Sequence, residues 1–472
     1  MNNILFNPTG ARAQPERGVY AASVFDRMGG WVLISTRSSV GAMKRRDRRA
    51  PLAIVCGLLL VVALTAHSQP VGINTLAGNT GQGSTNGFGS SARFNHPRGV
   101  AADSAGNVFV ADTENGTIRK MTTNGFAGSF AGLAGVFGSA NGTGTNAQFY
   151  GPQGIAADSA GNVYVADTAN ATIRKISSSG TVSAFAGAVG NFNSYDGTGV
   201  NAQFYQPEAV AVDGAGNVYV ADTFNHTIRK VSPAGAVSTL AGLAGNPGSA
   251  DGTNSKARFN RPAGLALDTA TNLFVTDSLN HTIRKITPGG NVSTIAGMAG
   301  VWGSADGTNS AGRFFQPQGI FSLNASNLFV VDSGNQTLRK ISVSGTNWVV
   351  SAVAGLPGSA GYADGTGSAA QFYFPAGLTA DGAGYLYVAD SANNIIRTTR
   401  VVPPTLQLAS AGNQLVLSWL TSAGGFVLET SPTLATGAVW SPVTNGIVTL
   451  GDNFVRTNNA SGAAAFYRLH KP

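Results

Sequence analysis

The sequence predicts an all-β molecule: a six-bladed β-propeller of four-stranded blades, followed by a small C-terminal β-sandwich. Three observations predict the ring. A 55-residue period runs through Phe94, Phe149, Phe204, Phe259 and Phe314, with Phe372 following after 58, and a fixed period of this size marks a repeat architecture. Each period holds four short runs rich in Val, Ile, Thr, Tyr and Phe, split by Gly, Pro and Asn turns; no apolar period of 3.6 is sustained over ten residues. The ends of the array complement each other. The sixth unit lacks a fourth run before Val401-Val402-Pro403-Pro404, and an orphan run of the missing type, Ile73-Asn74-Thr75-Leu76-Ala77-Gly78, precedes the first unit. Supplying that strand from the N-terminal side closes the ring and removes the exposed edges that an open stack would leave.

Ahead of the ring, residues 1–68 hold nine of the 30 Lys and Arg and three of the 22 Asp and Glu. The formal net charge of +8 therefore belongs mostly to this leader, and the remainder carries +2. That leaves no broad positive field for a phosphate backbone, so no nucleic-acid partner is expected. A basic stretch at 44–49, an apolar run at 50–66 and Ala66-His67-Ser68 read as a secretory signal peptide over 43–68. The apolar run is short for a spanning helix, and no stable membrane span is expected after cleavage. Residues 1–42 show no periodicity and would bury the signal inside the chain. They read as an N-terminal extension from a wrongly extended frame, with Met43 as the true start. The expected location is secreted, periplasmic or at the cell surface. The lone cysteine, Cys56, lies inside the signal, which leaves no disulfide, thiol nucleophile or thiolate metal site beyond it.

The ring is expected over 72–402, and its third unit shows how each blade is built. Phe204-Tyr205-Gln206-Pro207 leads in, and 209–213 (AVAVD) suits a buried innermost strand. A Gly-Ala-Gly-Asn turn precedes a β-branched and aromatic strand at 218–221 (VYVA). A second turn over 222–226 leads to a third strand at 227–231 (TIRKV), and Pro233-Ala234-Gly235 to a fourth at 236–241 (AVSTLA). A long Gly-rich loop, 242–256, ends the unit. Beyond Pro403-Pro404, six short alternating runs within 403–472 suggest the sandwich.

The units resemble NHL repeats on Pro207, Val210, Ala211, Val212, Asp213, Asn217, Val218, Tyr219, Val220, Ala221, Asp222, Asn225, His226 and Ile228, and the other copies match nearly as well. The Gly-rich loops make the units longer than usual, as in secreted bacterial members. The resemblance implies a binding platform, most often for protein; some animal members bind RNA, and a few related six-bladed propellers are metal-dependent lyases or lactonases. A weaker resemblance links the C-terminal segment to terminal modules of secreted bacterial proteins.

Candidate chemistry is sparse. Asp112, Asp167, Asp222, Asp277, Asp332 and Asp390 recur at one position, and six identical turns explain them better than one catalytic site. Each is expected to accept backbone N–H bonds from the turn that follows. Asp103, Asp158, Asp213, Asp268 and Asp381 read the same way, with Leu323 breaking the set. His226 and His281 do not make a ligand set for a metallo-lyase. No catalytic signature appears, so neither an enzyme nor a cofactor or metal is expected. The Asn-x-Thr series from Asn115 to Asn335 reads as turn chemistry, and the Arg-Lys pairs from Arg119-Lys120 to Arg339-Lys340 as a solvated strand. Function is sought where the repeats differ, in loops on a rigid scaffold. Phe137, Phe192 and Trp302 stand there at corresponding places, with Pro247 between the last two in the series, as candidate ligand-binding residues. The favoured function is non-catalytic recognition of an extracellular protein, peptide or glycan. The alternatives are a metal-dependent lyase or lactonase, and a structural envelope or matrix protein.

Overall fold

The computed structural model describes residues 70–122 and 126–400, a short antiparallel pair at Ser23–Phe25 and Trp31–Leu33, and residues 407–411, 414–420, 427–432, 438–450, 453–459 and 466–470. The signal expected at 43–68 lies outside the described residues. Among the described residues no helix is long and apolar enough to cross a membrane. The chain divides into two compact units, Ala66–Val402 and Met1–Thr65 with Pro403–Pro472.

The first unit is a ring of six antiparallel sheets. In blade three, Pro207–Val212, Val218–Asp222, Thr227–Val231 and Ala236–Gly242 pair in that order from the inside out. The second strand is buried at all five residues, which explains its lack of polar alternation. The register places Pro207, Asp222, Thr227 and Gly242 level at one end of the blade. The hairpin between strands two and three, the lead-in to strand one and the root of the Gly-rich loop therefore share one face of the ring, the hairpin face.

Each blade has a fifth strand that the sequence reading does not contain. Gly197–Thr198 leaves the Gly-rich loop and pairs outside Ala236–Gly242. Two residues are too few to show a period of two, so the sequence carries no strand signal there. The addition covers part of the outer edge, which would otherwise present unpaired backbone groups. Closure follows the expected route. Gly72–Gly78 pairs with Ile395–Arg400 as the fourth strand of blade six, and Gly365–Thr366 pairs outside it.

The core lies between blades. One apolar cluster fills each gap, and the cluster of Ala77, Ala389 and Ile396 with Phe94, Val100 and Val110 seals blade six to blade one. The periodic Phe94, Phe149, Phe204, Phe259, Phe314 and Phe372 are fully buried in these gaps. At the axis the innermost strands nearly touch. A methyl group on Gly264 would lie 1.9 Å from the Gln318 carbonyl oxygen, and one on Gly377 would lie 2.2 Å from that of Arg98. Blade five departs from the pattern: its strands extend to Pro317–Asn324 and Asn327–Asp332, around a tight turn with Asn324 in place of the usual Asp. That accounts for Leu323 in the aspartate series.

In the C-terminal region Gln407–Ala411, Gln414–Leu420, Asn453–Asn459 and Ile447–Leu450 form one antiparallel sheet, and Ser441–Pro442, Val427–Ser431 and Phe466–His470 form another. Leu417 of the first and Leu428 of the second belong to one small core with Val443, Ile447, Phe454 and Tyr467.

Candidate binding face

The recurring Asp is structural, but its partners differ from the expected ones. Asp222 ends strand two, where its Oδ1 accepts the N–H of Tyr205 in the lead-in at 2.7 Å. Its Oδ2 accepts the Asn225 amide and Arg229 Nη1, both at 2.8 Å. It does not cap the turn that follows. The same unit recurs in all six blades, from Asp112 with Arg119 to Asp390 with Arg397. Burial pushes these carboxyls up to about 6 against the pull of their donors. Both oxygens are engaged and neither reaches solvent, so no oxygen is free to take a substrate proton.

The Arg-Lys pairs are correspondingly not a solvated strand. Arg119, Arg174, Arg229, Arg284, Arg339 and Arg397 are among the largest fully buried side chains. Arg229 stacks over Phe204 at 5.3 Å, donates to the Gln203 and Tyr195 carbonyls, and pairs through Nη2 with Asp196 of the Gly-rich loop. Asn86, Asn141, Asp251, Asp306 and Asp364 receive the equivalent bond in the other blades. These loop residues are therefore tied to the buried guanidinium. Lys230, one residue on, faces the other side of the strand with its ammonium 5.6 Å from the Tyr219 ring. Asn115, Asn170, Asn225, Asn280 and Asn335 are buried and donate to their Asp, which leaves the sequon amides no access to a glycan. The second aspartate series forms the expected turns: Asp213 accepts the N–H groups of Ala215 and Asn217.

The two histidines join blades. His226 and His281 adopt left-handed backbone at the hairpin, with φ of 59° and 60°. His226 Nδ1 accepts the Arg261 N–H at 3.1 Å, and His281 Nδ1 accepts the Gln316 N–H at 3.2 Å. Gln336 and Asn394 do the same for Phe374 and His96, the last across the ring closure. Burial lowers the pKa of both histidines, and the Arg261 guanidinium adds to this at His226. Among the described residues no three of His, Cys, Asp or Glu gather as metal ligands would.

Two features set the blades apart on the hairpin face. The first is the mouth of the axial channel. The residue after the lead-in Pro is Arg98, Gln153, Glu208, Ala263, Gln318 or Ala376, and all six line a cavity of about 80 Å³. That holds a few waters and falls well below the roughly 300 Å³ of a typical small-molecule site. Arg98 donates to Gln153 at 3.2 Å. Burial raises the Glu208 pKa, opposed by the charges of Arg98 and Arg261. This varied position escaped the sequence reading, although aligning the six lead-ins exposes it.

The second feature is aromatic. Phe137, Phe192 and Trp302 lie on the hairpin face and remain about half exposed or more, with Trp302 at 64%. Each rests on the residue after the periodic Phe: Phe137 on Tyr150 at 5.6 Å, Phe192 on Tyr205 at 5.5 Å and Trp302 on Phe315 at 5.0 Å. Sequence reasoning missed the partner rings Tyr150, Tyr205 and Phe315, and also Phe224, which extends the second pair and lies 4.0 Å from the Arg261 guanidinium. Tyr150 and Tyr205 are themselves 51% and 37% exposed, so these pairs present two neighbouring rings to solvent. Exposed apolar surface of this kind marks an interaction site more often than a lone ring does.

The repeats that build this ring match NHL profiles. The family profile described as Teneurin NHL domain matches residues 192–400, and the NHL repeat profile matches residues 94–121 and 149–176. In particular, the chain is 26% identical over 321 residues to NHL repeat-containing protein 2 of Homo sapiens, covering 59% of this chain and 44% of the human protein. It thus spans less than half the length of that relative. Among solved structures, a structural genomics protein of unknown function from Bacteroides thetaiotaomicron superposes with a TM-score of 0.55 at 21% identity, over 70% of this chain and 76% of the other. An auxiliary nutrient binding protein from the same organism gives 0.52 at 11% identity, over 71% and 77%. At these identities the likeness concerns the fold alone.

Proposed function

We propose that this chain is a non-catalytic recognition scaffold, acting outside the cytoplasm, that binds an extracellular protein, peptide or glycan on the hairpin face of its propeller. One observation carries the reading. Phe137, Phe192 and Trp302 occupy one repeat position, face solvent and are each braced by a second aromatic residue. Rigid aromatic anchors give large contact area at little entropic cost. The repeated polar groups, by contrast, are consumed by the blades themselves. The extracellular setting rests on the signal-like segment 43–68.

The test is the triple variant Phe137→Ala, Phe192→Ala, Trp302→Ala in a binding screen beside the wild type. The expected result is an unchanged melting temperature with affinity for the captured ligand reduced at least about a hundredfold, because each anchor contributes on the order of 1–2 kcal/mol. Unchanged affinity in a folded variant removes these residues from the site.

A further inference from the structure

The aromatic residues are not spread evenly around the hairpin face. The residue after the periodic Phe is Asn95, Tyr150, Tyr205, Asn260, Phe315 and Tyr373 from blade one to blade six. Blades two and three therefore carry one aromatic lobe, Phe137 on Tyr150 and Phe192 on Tyr205 with Phe224 beside it. Blades five and six carry a second, Trp302 on Phe315 and Tyr373 against Phe374 at 5.3 Å. In a closed ring of six these lobes stand diametrically opposite. Blades one and four, between them, present Asn95 with His96 and Asn260 with Arg261 at the same two positions. A sixfold scaffold thus bears a twofold chemical pattern, with the axial mouth at its centre.

Resting on the recognition reading above, we propose that the occupant is a linear, uncharged polysaccharide chain lying across the face and gripped at both lobes. The face offers flat, open rings rather than pockets, and the axial cavity of about 80 Å³ is too small to accept a bulky side chain. A sugar ring presents an apolar C–H face that an open aromatic ring can cover. Asn260 of blade four, with Gln206 and Gln316 of the two blades beside it, carry amides that both donate and accept, as hydroxyls do. Arg261 is already stacked over Phe224. Glu208 lies near it and near Arg98 at the mouth, so no strong field of one sign selects a charged polymer.

The experiment titrates the full-length protein with cello-, xylo-, malto- and laminari-oligosaccharides of two to ten units by calorimetry. The expected result is binding in one series, with the longest members about a hundredfold tighter than the shortest, since a chain that reaches both lobes gains effective concentration. Trp302→Ala with Phe374→Ala removes that length dependence and leaves the affinity for short members unchanged. Phe137→Ala with Phe192→Ala removes it equally. Trp302→Leu, which keeps apolar bulk without a ring, behaves like the alanine. Affinity independent of chain length overturns the two-lobe arrangement. Capture of a peptide from a displayed library, abolished by the triple alanine variant, with no binding of any neutral oligosaccharide, overturns the glycan but leaves the recognition face standing.

Discussion

Arg229 shows how a residue can be misread at short range. Beside Lys230 in the run TIRKV it looks like half of a charged, solvent-facing pair. In a strand, however, neighbours point to opposite sides. Lys230 holds its ammonium over the Tyr219 ring, whereas Arg229 is buried with both terminal nitrogens bonded, by Asp222, two carbonyls and Asp196. Neither residue type nor local pattern announces this, because the partners come from positions 7, 26, 33 and 34 residues away. The energetic consequence is asymmetric. Arg229→Ala leaves Asp222 buried without its counter-ion and is expected to cost about 3–5 kcal/mol. Asp196 is 52% exposed at its side chain, and Asp196→Asn should cost about 1 kcal/mol or less. Chemical denaturation of the two variants checks the ranking, and equal losses would contradict it.

At the scale of the blade, the strands were legible because their β-branched runs are bounded by Gly, Pro and Asn turns. The two-residue outer strands were not, since Gly197–Thr198 has no pattern to read. The contacts between blades were also hidden. His226 and His281 looked like ordinary turn residues, but each accepts a backbone N–H from the next blade. That bond needs an unprotonated Nδ1. Both pKa values are lowered from 6.5 in the folded ring. The unfolded chain therefore takes up these protons first as the pH falls. The stabilisation is fully present above the ordinary value of 6.5 and is lost as the pH drops through the lower, folded value. Asn394 makes the same contact with an amide that does not titrate in this range. The variant His226→Asn, His281→Asn should hold its melting temperature better than the wild type between pH 7.5 and 5. Comparing the two cancels the contribution of the six buried aspartates. A constant difference across that range would refute the histidine contacts.

For the whole molecule, the 55-residue period and the displaced fourth strand were enough to read a closed six-bladed ring. The same regularity hid the candidate site, because repeats draw attention to what they share. The six Asp–Arg units share one geometry and serve the scaffold. The differences lie in the lead-in and the Gly-rich loop, where Tyr, Phe and Trp replace Asn, Gln and Pro on some blades only. Those differences collect on one face, because the register brings the lead-in, the hairpin and the loop root to the same end of every blade. The opposite face carries the Asp213–Asn217 type of turn, which is nearly identical in most blades and already hydrogen-bonded within itself.

The central claim, that the hairpin face is the recognition surface, is tested most directly by hydrogen–deuterium exchange of the full-length protein with and without its captured ligand. Protection is expected in the segments around Phe137–Tyr150, Phe192–Tyr205 and Trp302–Phe315, with the turns around Asp158 and Asp213 unchanged. Protection confined to those opposite-face turns, or to residues beyond Pro403, would contradict the account.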